Sequence, residues 1–399
     1  MCSVGRTALS WEDVVSTVNE SRLAPGEFGP FDGRVWLNTA HQGPLPRTAV
    51  DAAWTAALMK AAPHRIPDEA FTEGPEQLRG LLADLVGGDP DEVVLGDSTS
   101  HGLHLVANGL AWRPGDEVLL VEGDYPATIL PWLRLADQGV RARWLRPQAG
   151  ALTASELSAA ITPRTRVLAL TWVDSFTGHA ADLHALGQVC RAAGVLSVFN
   201  ASQAIGARPL DVASTPVDAV VSCGYKWLCG PYGTGFSWLH PDLLSRLRPQ
   251  HAYWLAMQAG GGLGQMRDTG LRDDLGVRAF DMFCPANFLD VLPWTAAVKL
   301  ILHTGVDAIA AHDQRLVDQL LSGLDPAQYR LISPAAGASR STLVVLDRID
   351  GTARERHAQL AAAGVDIAFR EGNLRLSPHL FHTADDITRA LNALHAPVP

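Results

Sequence analysis

The stretch VVSCGYKWLCGPYGTGF (220–236) places one cation, Lys226, behind an apolar run and ahead of glycines and prolines. Residues 219–223, AVVSC, are apolar nearly throughout, as a strand buried on both faces must be. Four upstream runs read the same way: VVLGD (93–97), EVLLVEG (117–123), RVLALTWV (166–173) and VLSVFN (195–200). Helical patterns lie between them, among them HGLHLVANGLAW (101–112) and DLHALGQVCRAAG (182–194), the second closing on a glycine suited to a C-cap. Such alternation predicts an α/β chain whose mainly parallel sheet is wrapped by helices. Ligands of such sheets sit beyond the carboxyl ends of the strands, and Lys226 stands two residues past one.

After about residue 300 the order becomes helix, strand, strand, helix, carried by ARERHAQLAAAG (353–364), VDIAF (365–369), LRLS (374–377) and ADDITRALNALH (384–395). A chain of 399 residues exceeds one ordinary core, so we expect a large lobe over 37–295 and a smaller α+β lobe built from 1–36 and 296–399. The Gly-rich AGGGLGQ (259–265) reads as a flexible loop. A formal net charge of −10 with no basic tract argues against nucleic acid as a partner. The first residues lack a secretory core, and no uncharged apolar run is long enough to span a bilayer. The five cysteines lack CxxC spacing, which points to a reducing cytoplasm.

A lysine in a turn is ordinarily a solvated surface residue. One held in a partly desolvated pocket loses its proton readily and can form an imine with an aldehyde. Upstream stands FNASQAIGARPLD (199–211), and the two stretches with their spacing resemble class V aminotransferases and cysteine desulfurases, fold-type I enzymes that use pyridoxal 5′-phosphate (PLP). The family pattern is D-x-x-Q, a link containing P-x-D, a strand, then S-x-H/Y-K-x-x-x-G-P-x-G-x-G. Here it reads Asn200 to Gln203, Pro209 to Asp211, then Cys223, Tyr225, Lys226, Gly230, Pro231, Gly233 and Gly235. The resemblance covers roughly residues 35 to 390 and implies that Lys226 is the Schiff-base lysine.

The same resemblance assigns the remaining contacts. LGDSTSHGLHLVANGL (95–110) is similar to the phosphate loop, where hydroxyls and backbone N–H groups at a helix N-terminus hold an anion, which implicates Thr99, Ser100 and His101. Tyr125, in GDYPATILPW, falls where the family stacks an aromatic ring or His on the pyridine. Gln203 matches the residue that contacts the ring hydroxyl, Ser175 falls where relatives often have Asn, and Tyr225 is placed to give its hydroxyl to the phosphate. REGNLRLSPHLFHT (370–383) resembles R-x-S-x-x-x-x-N-T, so Arg375 is the expected grip on the substrate α-carboxylate and Arg370 a solvated neighbour. LNTAHQGPLP (37–46) matches the family's entry turn, bringing Thr39, Ala40 and His41 to the substrate's border. The resemblance also implies a homodimer whose partner chain completes the phosphate site from FDMFCPANF (280–288), through Cys284 or Asn287.

Departures from the pattern shape the expected chemistry. Asn200 replaces the carboxylate that keeps the pyridine nitrogen protonated and the ring a strong electron sink. An amide can only donate a hydrogen bond to the unprotonated nitrogen, which disfavours reversible transamination and favours prompt loss of a β-substituent. Cys223 and Cys284 stand where many relatives have Ser and Thr, and a thiol is the weaker donor. No cysteine follows Cys284, so the persulfide chemistry of a desulfurase is not expected. The expectation is a PLP-dependent C–S lyase acting on an amino acid or S-linked cysteine conjugate in bacterial specialised metabolism. Decarboxylative deamination, transamination and epimerisation remain open. So does a catalytically impaired binding protein, suggested by Asn200, Cys223 and Cys284 together. Metal binding by His101/His104 or His379/His382 is not expected, for want of nearby cysteines or carboxylates in sequence.

Overall fold

The computed structural model describes residues 25–257, 267 and 270–397; the Gly-rich loop 259–265 lies outside the described residues. The first elements are strand β1 (Val35–Trp36), helices α1 (Arg47–Ala61) and α2 (Ala70–Val86), β2 (Val93–Gly96), α3 (Thr99–Gly109), β3 (Glu117–Val121) and α4 (Pro126–Leu133). There follow β4 (Arg141–Leu145), α5 (Ala154–Ala160), β5 (Thr165–Thr171), α6 (Leu183–Ala193), β6 (Leu196–Asn200), β7 (Ala219–Cys223), β8 (Gly235–Leu239) and α7 (Pro241–Leu244). Two long helices, α8 (Phe288–Thr304) and α9 (Val306–Gly323), lead to β9 (Tyr329–Leu331), β10 (Val344–Arg348), α10 (Ala353–Ala362), β11 (Val365–Asp366), β12 (Ala368–Arg370), β13 (Asn373–Leu376) and α11 (Ala384–His395).

Seven strands form the main sheet in the order β2-β8-β7-β6-β5-β3-β4. β3, β4, β5, β6 and β7 pair in parallel, and only β8, between β2 and β7, runs the other way. Consecutive residues of a strand point to opposite faces, and here both faces are covered. Leu168, Leu170, Phe199 and Val220 enter one apolar cluster, while Val167, Ala169, Val198 and Val221 enter a second on the other side. That is why these strands carry no polar alternation. Helix ends are set locally: the Ser98 side chain caps α3, Asp182 caps α6, and α6 stops at Gly194, whose φ of +68° a side chain would resist.

The second sheet, β12-β13-β10-β9, is antiparallel, and β1 pairs in parallel with β11. Its core gathers Val35, Leu37, Leu316, Leu346, Leu374, Leu376 and Leu394. The expected single strand VDIAF is divided between β11 and β12, and β10 adds a strand to the expected order. The carboxyl ends of β6 and β7, at Asn200 and Cys223, face the region where β13 and the turn after β1 meet the main sheet.

Candidate active site

Lys226 is the third residue after β7 and is buried, with 8% of its surface exposed. Its Nζ lies 5.5 Å from the centre of the Tyr125 ring and 5.9 Å from that of Tyr225. Burial lowers its pKa, Arg375 lowers it further, and only Cys223 opposes them. Among the described residues it forms no ion pair. A lysine kept towards its uncharged form, with no carboxylate to neutralise, is a nucleophilic amine.

Trp227, the next residue, is held at both ends. Its indole Nε1 donates to Gln203 Oε1 at 2.9 Å, and its carbonyl accepts from His379 Nε2 at 2.9 Å. Gln203 in turn donates through Nε2 to the Ala40 carbonyl at 3.0 Å. His379 also bonds Asp313 at 2.9 Å through Nδ1, and both side chains are fully buried. A carbonyl can only accept, so Nε2 carries its proton; burial raises the Asp313 pKa and His379 opposes that rise, and with Asp313 ionised Nδ1 donates as well and the ring is an imidazolium. Burial works to lower the His379 pKa, but Asp313 outweighs it and the pKa stands at about 10. His382 spends its ring nitrogens on the His379 backbone and the Trp36 carbonyl, and burial pushes its pKa down to about 4. Both histidines of that pair therefore work in the core.

Asn200 ends β6. Its Oδ1 accepts from the Ser202 backbone N–H at 3.0 Å, and its Nδ2 donates to Thr128 Oγ1 at 2.9 Å. A backbone N–H cannot be anything but a donor, so this bond settles which end of the amide carries nitrogen. The Thr128 and Thr171 hydroxyls share a hydrogen bond at 2.8 Å, and the Thr171 N–H donates to Asp124, whose carboxyl is pushed up to about 6 by burial. Asn200 keeps its second N–H for another acceptor.

Thr99, Ser100 and His101 are the first three residues of α3. Only the His101 N–H is spent, on Ser98 Oγ at 3.1 Å. The Thr99 hydroxyl meets Ser202 Oγ at 2.5 Å, tying this helix start to the Asn200 loop. His101 Nδ1 is buried without a partner, and its pKa is lowered by burial. Tyr125 stacks on Phe176, with ring centres 6.2 Å apart and planes at 28°. Tyr225 packs on Tyr232 at 4.6 Å, and its hydroxyl is held protonated by burial and then by Cys223. Cys223 is buried at the end of β7.

Arg375 on β13 is 4% exposed and donates through Nη1 to the Ser175 carbonyl at 3.0 Å, while its Nε is buried without a partner. Burial, then Arg370, brings its pKa down to about 10. His41 is lowered by burial and then by Arg370, Arg375 and Lys226, which places it among these cations. Thr39 is fully buried with its hydroxyl unpaired. Cys284 and Asn287 are exposed, Cys284 Sγ at 3.1 Å from the Tyr253 hydroxyl and Asn287 against Asp290. Thr128, Thr171, Ser202, Trp227, Asp313 and His379 have no signature in spacing and enter only through these contacts.

The residues fit PLP: a buried amine whose burial favours the uncharged form for the aldehyde, unspent N–H groups at the start of an 11-residue helix for the phosphate, and an oriented amide N–H for a ring acceptor. The comparisons agree. The chain is 30% identical over 380 residues to isopenicillin N epimerase of Streptomyces clavuligerus, covering 90% of this chain and 94% of that protein. It is 25% identical over 331 residues to a probable cysteine desulfurase of Methanothermobacter thermautotrophicus, covering 78% and 80%. Its fold matches a mutant of C-DES with glycine covalently linked to the PLP cofactor, at TM-score 0.83 and 22% identity, over 92% of this chain and 98% of that one. It matches the apo cysteine desulfurase from Thermococcus onnurineus NA1 at TM-score 0.83 and 18% identity, over 94% and 98%. The family model "Aminotransferase class-V" matches residues 44–386, and the chain belongs to this family of PLP-dependent enzymes.

Proposed function

We propose that the protein cleaves the C–S bond of an S-linked cysteine conjugate by β-elimination, giving a thiol, ammonia and an α-keto acid. The observation that carries this reading is the orientation of Asn200, whose N–H and not a carboxylate is offered beyond β6. When bound, PLP supplies an acceptor for the electrons of the Cα–H bond, and an unprotonated ring is the weaker acceptor. In this reading the Lys226 amine removes the Cα proton, burial favouring its uncharged form. Arg375 holds the α-carboxylate by a charge-assisted fork, Tyr125 and Phe176 wall the site, and Thr99, Ser100 and His101 anchor the phosphate. The thiolate leaves with the bonding pair and takes up a proton, and water releases ammonia from the remaining three-carbon fragment.

The test is incubation with S-substituted cysteines and ordinary amino acids, following thiol, keto acid, carbon dioxide and pyridoxamine phosphate by mass spectrometry. Thiol and keto acid in equal amounts support elimination. Stoichiometric pyridoxamine phosphate without thiol replaces it with transamination, and carbon dioxide with decarboxylative deamination. Epimerisation is the second reading, favoured by the likeness to isopenicillin N epimerase along 90% of the chain; deuterium entering Cα with loss of optical rotation and no thiol would establish it. A colourless protein indifferent to added PLP, and unchanged by Lys226→Ala, points to a binding protein. We further propose that the chain works as a homodimer in a reducing cytoplasm. Supporting this are the four described cysteines, all unpaired, and the apolar side chains left exposed on α1.

A further inference from the structure

Arg370 and Arg375 share one face of the β12–β13 hairpin. Ala368 stands opposite Arg375 and Arg370 opposite Asn373, and directly opposed residues of an antiparallel pair point to the same side. The alternate residues, Phe369 and Leu374, enter the apolar core of the second sheet. The arginine face therefore looks at the main sheet, where Arg375 reaches Ser175. Arg375 is buried with one N–H unspent, whereas Arg370 is exposed and its single hydrogen bond goes to the adjoining Phe369 carbonyl. Among the described residues Arg370 forms no ion pair. The charged groups acting on His41 are Arg370, Arg375 and Lys226, cations all. One α-carboxylate satisfies Arg375 and leaves Arg370 without a counter-charge, close enough to His41 to help hold that ring towards its neutral form. Like charges gathered at a mouth repel one another and draw in a ligand of opposite sign.

We propose that the substrate carries a second acidic group on its side chain, taken by Arg370 with His41 beside it while Arg375 holds the α-carboxylate. This deepens the reading above, since it makes the S-linked arm an acid, but it rests only on the substrate being an amino acid. The experiment separates the two. In the PLP-loaded Lys226→Ala background, where turnover is stopped, calorimetry gives Kd for L-glutamate and L-2-aminoadipate against L-norvaline, and for S-carboxymethyl-L-cysteine against S-ethyl-L-cysteine. The diacid of each set is expected to bind more tightly. Arg370→Gln is expected to reduce that preference about tenfold, the low end for a charged hydrogen bond because Arg370 is exposed, and Arg370→Lys to recover part of it. Equal affinities in the Arg370 protein, or a preference that Arg370→Gln leaves intact, overturn the proposal. A preference found in an enzyme that releases no thiol upholds it and removes elimination instead.

Discussion

At the scale of residues, the site depends on charges that burial has stripped of water. Arg375→Ala should weaken binding of amino-acid substrates by about 2 to 5 kcal/mol, much of it the cost of leaving a carboxylate unpaired, and competition assays would show this as a raised inhibition constant for carboxylate analogues. The pair Asp313–His379 makes a different prediction. Asp313→Asn leaves a buried imidazolium without its counter-charge and should cost about 3 to 5 kcal/mol in urea unfolding. Because the folded pKa of His379, about 10, lies above the ordinary histidine value, its contribution is complete below about pH 6.5 and fades as pH rises through 10. The variant should therefore lose its alkaline stability slope between those limits; a slope equal to that of the Asp313 protein would refute the charged pair. Lys226, Gln203 and Arg375 were legible because spacing along the chain carries them. Asn200 and Thr128 lie 72 residues apart, and Asp313 and His379 lie 66 apart, so no local pattern announces either contact.

At the scale of elements, the turn before α1 is fitted against the loop that bears the lysine. Gly43 donates its N–H to the Tyr225 carbonyl at 2.9 Å, and a Cβ there would stand 2.0 Å from the Lys226 carbonyl oxygen. Backbone cannot step aside as a side-chain tip can. Gly43→Ala is expected to lower the yield of the borohydride-reducible Lys226 adduct at least tenfold in rate of formation, since one misplaced ångström costs about that much or more, while far-UV circular dichroism stays unchanged. An adduct forming at the usual rate would show that the turn yields freely. The five main-sheet strands read from sequence were legible because both their faces are covered. β4 was not, since at the sheet's edge RARWL mixes charge with apolar residues, and β8 opens on the glycine that packs against the Ser98 backbone. α8 is buried around most of its circumference, so no polar stripe marks its period.

At the scale of the whole molecule, α1 carries Val50, Trp54 and Leu58 one turn apart, exposed at 50%, 68% and 45%, beside the exposed Leu289 at the start of α8. Such a stripe is the kind of face the proposed dimer would cover. Light scattering is expected to return twice the chain mass, with Trp54→Glu shifting it to one; the monomer mass for the unaltered protein would count against the dimer. For the lobes, we place the division near Gly305 and not after 295, since α8 runs unbroken through that point and packs on α1 and α2. Sequence does not mark such a seam, because α9 gives Ile309 to the main-sheet core and Leu316, Val317 and Leu320 to that of the second sheet. The hold of His379 on the Trp227 carbonyl has a consequence in time. A ribosome emits the chain from its N-terminus, so the main sheet and its lysine emerge some 150 residues before His379 does. Until those later segments arrive, the amine stands beside no Arg375, and its loop is held by Gln203 and Gly43 but not yet by His379. In the proposed reading, the amine is therefore made before the groups that would select its substrate.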